Sequence, residues 1–363
     1  MRLGITTRIC EIPSRRLAHF KTSEYITKSS DKTNKVTLSG MKLLVDTDPG
    51  TDDCHALTHL LKLGNVKAIT TVFGNSSQPR TAHNACRILD MLGMNHIPVF
   101  SGAQCSLQAT DPFVEIATRH WDGSDCMNDA PDCIPMNVSK QPEKDKTAPD
   151  AIISIVKANP GEITLVALGP LTNIAIATRL CPELPSLIKS FYVMGSNYGS
   201  KVGNATQWAE FNFRNDPLAA HITLKQFCKH SMVHVVPREP CFENCITFEQ
   251  YDSMFEGTKD SPAKSLLSAT GMTEKLISRR TQGRGYRFSD QFISMIIVYP
   301  ESVIKSEYYD TMDILVYDKV EEKRGLADYV IGECSENKEH GLIVYTKFDM
   351  NYMMKLYRNS MIV

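Results

Sequence analysis

Between Val45 and Asp53 the chain reads Val-Asp-Thr-Asp-Pro-Gly-Thr-Asp-Asp, placing four carboxylates, Asp46, Asp48, Asp52 and Asp53, within eight residues. One or two aspartates at such a point would be ordinary helix caps, worth about 1 kcal/mol each. Four exceed that role, because carboxylates so crowded repel one another unless a cation neutralises them. A hard divalent ion with oxygen ligands is the natural solution. Further along, Gly203-Asn204, Ala209-Glu210-Phe211-Asn212 and Asp216-Pro217 form a second cluster of carboxylates and amides.

The elements that must position these groups follow from the apolar pattern. Lys42 to Val45 predicts a short strand and Asp52 to Leu63 a helix, with Pro49-Gly50 as the turn between them. The unit repeats as a strand over Val66 to Phe73, a helix from Gln78 to Leu92 and a strand at Pro98 to Phe100. After an irregular excursion over residues 105–147 come a helix from Ala148 to Ala158 and a strand from Ile163 to Leu168. The turn Gly169-Pro170-Leu171-Thr172-Asn173 then enters a helix through Leu180. Phe191 to Met194 and Met232 to Val236 read as strands, Asp216-Pro217 as a helix start running through Phe227, and Asp290 to Tyr299 as a helix. Two further helices, a basic loop from Arg279 to Arg287, and strands around 312–316 and 341–346 complete the pattern. Alternating strands and helices of this kind predict a doubly wound, mostly parallel α/β sheet in a single large domain over residues 41–363.

Composition narrows the partners. The 363 residues are 42% hydrophobic and 22% charged, with a net charge of -1. That provides a core but no bulk field to attract nucleic acid or an anionic membrane. The longest apolar run, Phe292 to Val298, is too short to span a bilayer. Eleven scattered cysteines read as reduced thiols, and Cys241 and Cys245 lack the companions of a zinc site. Residues 1–40, with Arg2, Arg8, Arg15, Arg16 and Lys21 but no apolar signal region, read as a flexible extension. The expected location is the cytoplasm, a mitochondrial address being the alternative reading of that extension. Of the three sequons, Asn75 and Asn204 fall on expected site residues, where a glycan would block access.

The Asp-Thr-Asp-Pro-Gly-Thr-Asp-Asp run resembles the N-terminal fingerprint of the inosine-uridine-preferring nucleoside hydrolase family. Thr71-Val72-Phe73-Gly74-Asn75, Leu168 to Asn173, and Gly203-Asn204 through Asp216-Pro217 resemble its later motifs in order and spacing. The resemblance spans Lys42 to Tyr299. It implies a calcium ion at the C-terminal ends of the strands, held by Asp48, Asp53, the backbone carbonyl of Leu168, and Asp290. Asp46 would stand behind them. It further implies hydrolysis of a ribosyl N-glycosidic bond through an oxocarbenium-like transition state, as in nucleoside salvage. Asp48 would be the general base, and Asp52, Asn75, Asn204, Glu210, Phe211 and Asn212 would hold the ribose of a small-molecule nucleoside. Family members are commonly homodimers or homotetramers.

One position departs from the family pattern. Many members carry a histidine directly before the last calcium aspartate, as acid for the leaving base, whereas Ser289 precedes Asp290 here. A serine hydroxyl is a poor proton donor at neutral pH. Arg279, Arg280, Arg284, Tyr286, Arg287 and Trp208 are alternative base-handling groups, and His120 falls near an expected motif with altered spacing. His55, His59 and His83 read as packing or solvent residues within helices. Two competing readings follow. A nucleoside- or ribose-binding protein of the same fold with little turnover is motivated by Ser289. A haloacid-dehalogenase-like phosphatase fits poorly, since Gly50 stands where that pattern wants Thr or Val.

Overall fold

In a computed structural model, the described residues are 40–109, 126–127, 134–198, 203–280, 285–317, 321–330 and 339–362. The expected extension over 1–40 lies outside them save for Gly40. The chain runs β1 (Lys42–Thr47), α1 (Thr51–Leu63), β2 (Asn65–Thr71), α2 (Gln78–Met91), β3 (Val99–Ser101), α3 (Ala148–Ala158) and β4 (Ile163–Ala167). It continues with α4 (Thr172–Leu180), α5 (Leu184–Leu187), β5 (Ser190–Met194), α6 (Phe211–Asn215), α7 (Pro217–His230), β6 (Met232–Val236), α8 (Pro240–Glu243) and α9 (Phe248–Ser253). Last come α10 (Pro262–Arg280), α11 (Gln291–Val298), β7 (Val303–Tyr309), β8 (Thr311–Ile314), β9 (Ala327–Val330), β10 (Gly341–Phe348) and α12 (Asn351–Ile362).

Eight strands form one sheet in the order β3-β2-β1-β4-β5-β6-β10-β7, parallel except where β7 meets β10. Strand β1 lies inside the sheet, between β2 and β4. It is covered on both faces, so successive side chains enter different cores: Leu43 and Val45 join one cluster with α1, α2 and α11, and Leu44 joins the other with α3, α4 and α7. This double burial explains the uninterrupted apolar run at its start. From β1 the sheet grows to β2 on one side and to β4 on the other, so the strand order reverses between β1 and β4. Such a switch point opens a crevice beyond the carboxyl ends of the strands.

The observed elements differ from the sequence expectation in several places. Strand β2 ends at Thr71, because Val72 and Phe73 leave the ladder to bond Thr47 and Ala103. Helix α10 continues to Arg280, through the start of the expected basic loop. The strand expected near 312–316 is β8, paired with β9 in a separate antiparallel ladder packed on α7. Strands β7 and β9 and helices α5, α6 and α12 were not anticipated. Strand β10 inserts parallel to β6, and β7 closes that edge in antiparallel fashion.

Candidate active site

The turn after β1 is organised by Asp53. As the third residue of α1 it accepts from Gly50 N at 3.2 Å, closing the helix start, and its other oxygen accepts from Thr47 Oγ1 and from Asp48 N at 3.3 Å. Asn75, on the turn after β2, donates to it through Nδ2 at 2.9 Å. Asp53 is therefore held by donors from two strand ends before any ligand arrives.

Asp48 is 1% exposed, and only one of its oxygens is engaged: Oδ2 accepts from Asn75 N at 2.6 Å, whereas Oδ1 is buried with no hydrogen-bond partner. Two glycines make room for it. A Cβ on Gly74 would stand 2.0 Å from Oδ2, and one on Gly169 would stand 2.5 Å from Oδ1. Burial first, and then the neighbouring Asp53, push the Asp48 carboxyl well above the usual carboxylate range. Behind it, Asp46 accepts from Thr70 Oγ1 at 2.6 Å and Asn173 Nδ2 at 2.8 Å, and burial lifts it to about 7. Asp46 thus ties β1 to β2 and α4.

Asp290 enters from the start of α11. It occupies the N-cap position, yet its side chain makes no cap hydrogen bond and is 3% exposed. Oxygens of Asp52, Asp53 and Asp290 lie within 4.8 Å of one another. Burial raises the Asp290 carboxyl well above its ordinary range, and the charges of Asp53, Asp52, Asp48 and Glu210 raise it further. These carboxylates need a positive charge among them. An orphaned buried oxygen on Asp48 beside three convergent carboxylates is a donor set that fits a hard cation. The geometric trio contains Asp52, which the resemblance assigned to ribose. Asp48, assigned to the ion, stands beside the trio with its orphaned oxygen.

The second cluster assembles on α6. Glu210 caps that helix through Asn212 N at 2.9 Å and Phe213 N at 3.1 Å, and also accepts from Ser196 N at 3.3 Å beyond β5. It is 1% exposed, and burial raises it to about 7. Asn212 donates to the carbonyls of Leu168 at 2.7 Å and Met194 at 3.2 Å, joining the ends of β4 and β5. Asn204 Oδ1 accepts from Phe211 N at 2.7 Å. Ser196 has φ of 79°, uncommon for a non-glycine residue and a mark of constraint at this strand end. Leu168, Glu210, Asn212, Asn204 and Phe211 thus meet at the β4 and β5 ends, while Asp48, Asp52, Asp53 and Asn75 meet at β1 and β2.

Two residues escaped the sequence reading. Arg238, beyond β6, donates from Nη1 to Ser289 Oγ at 3.0 Å; burial raises the carboxyls of Asp52 and Glu210, and the Arg238 charge offsets part of that rise. Asn197, fully buried, has no partner for either amide atom. The only sequence signal for either was its place just past an apolar strand.

Of the alternative base-handling groups, Tyr286 is packed in the core, stacked on Tyr251 with ring centroids 3.7 Å apart. Trp208 is half-buried with Lys323 over its ring, and Arg287 lies over Phe242. Arg279 and Arg280 close α10, and Arg284 and His120 lie outside the described residues. His55 and His59 are core residues bonded to Tyr357, Thr270 and Ser360, and His83 bonds the Met136 carbonyl.

Comparisons with known proteins bear on the family and the fold. The family model described as inosine-uridine preferring nucleoside hydrolase matches residues 43–355. An uncharacterised protein of Schizosaccharomyces pombe is 38% identical over 189 residues, covering 51% of this chain and 57% of that protein. The inosine-uridine preferring nucleoside hydrolase of Crithidia fasciculata is 35% identical over 199 residues, covering 53% of this chain and 59% of that one. The aligned segments thus span less than two thirds of these relatives' lengths. A solved plant nucleoside hydrolase shares the fold with a TM-score of 0.75 and 24% identity, covering 89% of this chain and 99% of that chain.

Proposed function

This chain belongs to the inosine-uridine preferring nucleoside hydrolase family, and on that footing we propose that it hydrolyses the N-glycosidic bond of ribonucleosides to free base and ribose, with calcium as its metal. The observation that carries this reading is the buried Asp48 with one unengaged oxygen, set against the convergent carboxylates of Asp52, Asp53 and Asp290. Asp48, Asp53, Asp290 and the Leu168 carbonyl would hold the ion. A bound calcium ion would lend Lewis acidity to the reacting water and anchor oxygen ligands.

The remaining work falls to the chain's own groups. Asp48 takes a proton from the attacking water, its buried and otherwise unengaged Oδ1 being the acceptor. Glu210, Asn212, Asn204, Phe211, Asn75 and Asp52 line the place for ribose, where carboxylates accept from hydroxyls and amides bond in both senses. Holding the sugar fixed while charge develops at C1′ is where such contacts accelerate the reaction. The Crithidia relative's name supports inosine and uridine as first substrates to try. A homodimer or homotetramer is the expected assembly, to be read from sedimentation.

The test is Asp48→Asn, which preserves shape and removes the base. The variant should fold and lose about 10² to 10⁴-fold in kcat for ribose release. Retention of full activity would overturn the role of Asp48, and a wild-type protein that binds nucleosides without turning them over would favour the binding-protein reading.

A further inference from the structure

The departing base needs a partner for its negative charge, and Ser289 alone cannot supply one. Arg238 stands beside it. This residue follows β6 and Pro237, and its backbone N donates to Ser196 O at 3.1 Å, in the same segment whose Ser196 N bonds Glu210. Its Nη1 donates to Ser289 Oγ at 3.0 Å, one residue before Asp290. Its guanidinium carbon lies 4.7 Å from the ring centroid of Phe242, a half-exposed aromatic. Nε is buried and has no hydrogen-bond partner. The guanidinium is therefore fixed by the hydroxyl next to Asp290 and by an aromatic face, close enough for its charge to act on Asp52 and Glu210, with donor capacity to spare.

Resting on the nucleoside hydrolase reading, we propose that Arg238, held by Ser289 and Phe242, donates hydrogen bonds to the leaving base and is the catalytic residue that stabilises its departure. A purine or pyrimidine bearing a ring carbonyl is the matching class. As the C1′–N bond breaks, its electron pair passes to the base nitrogen and spreads onto that carbonyl, which faces the guanidinium. The water oxygen bonds to C1′ and its proton goes to Asp48. The base anion takes a proton from solvent on release, Asp48 returns its own to solvent, and Arg238 stays protonated throughout. Ser289 is then a positioning residue that orients the guanidinium.

Leaving-group demand tests this. Wild type, Arg238→Gln and Arg238→Lys are assayed on inosine, on uridine and on 4-nitrophenyl riboside, whose nitrophenolate departs without help. Melting transitions show which variants fold, and either variant serves for the ratio of rates. For Arg238→Gln, kcat on the nucleosides should fall about 10² to 10³-fold, as for loss of one oxyanion donor, with less than about threefold change on the nitrophenyl substrate. Arg238→Lys should fall less on nucleosides, since charge is kept and the fork is lost. Equal losses on both substrate types, or no loss on nucleosides, would overturn the assignment to the base. A wild type inactive on all three would instead remove the hydrolase reading on which it rests.

Discussion

Burial gives each carboxylate of the acidic turn a different task. Asp53 is fixed in place by donors from Thr47, Asp48, Gly50 and Asn75, so its position is set before an ion binds, whereas Asp48 retains a buried, unengaged oxygen. The glycines around Asp48 follow from this. Gly169→Ala puts a methyl 2.5 Å from Oδ1 and must move the carboxylate; it should cut kcat about 10-fold or more while the protein stays folded. Unchanged kcat in that variant would show that Asp48 need not keep this position. The carboxylates were legible in the sequence because their crowding is itself unfavourable without a cation. Arg238 was not, because a lone arginine carries no pattern and gains meaning only when β6 and the start of α11 bring it to Ser289.

Elements carry these residues through caps and clamps. Asp216 accepts from Ala219 N at 3.0 Å at the start of α7, from Leu107 N at 2.8 Å and from Thr172 Oγ1 at 2.7 Å at the start of α4. Asp216→Ala removes the cap and leaves two further donors unpaired, so urea unfolding should report a loss of about 2 to 4 kcal/mol. A loss below about 1 kcal/mol would show that the clamp adds nothing to the cap. Strand β6 offers a pH test. His234, stacked between Tyr192 and Tyr345, is driven by burial from 6.5 down to about 4. Its unfolded form takes up a proton that the folded form refuses. Its contribution is therefore fully present above pH 6.5 and lost as pH falls toward 4, by at most about 1.4 kcal/mol per pH unit. His234→Gln should flatten that slope; an identical slope would place the acid sensitivity elsewhere. The parallel strands were readable from short apolar runs. The placing of β10 beside β6 with β7 on the outer edge was not, because pairing across so long a separation is not set by local pattern.

At the scale of the whole molecule, the fold brings together charges that repel until a cation joins them. The near-zero net charge of -1 conceals this local excess, since Asp48, Asp52, Asp53, Asp290 and Glu210 act on one another across strand ends far apart in sequence. Among the described residues no helix is long and apolar enough to cross a membrane. A cation bound by the folded state alone should raise the melting temperature, with about 2.7 kcal/mol of stabilisation at a hundredfold excess over Kd. A melting temperature indifferent to calcium after chelation would argue against the ion. Metal-assisted ribose release can be read by following reducing sugar from inosine and uridine before chelation, after it, and after calcium is returned. Turnover should disappear on chelation and recover with calcium; turnover undiminished in protein shown to be free of metal would mean that no ion takes part.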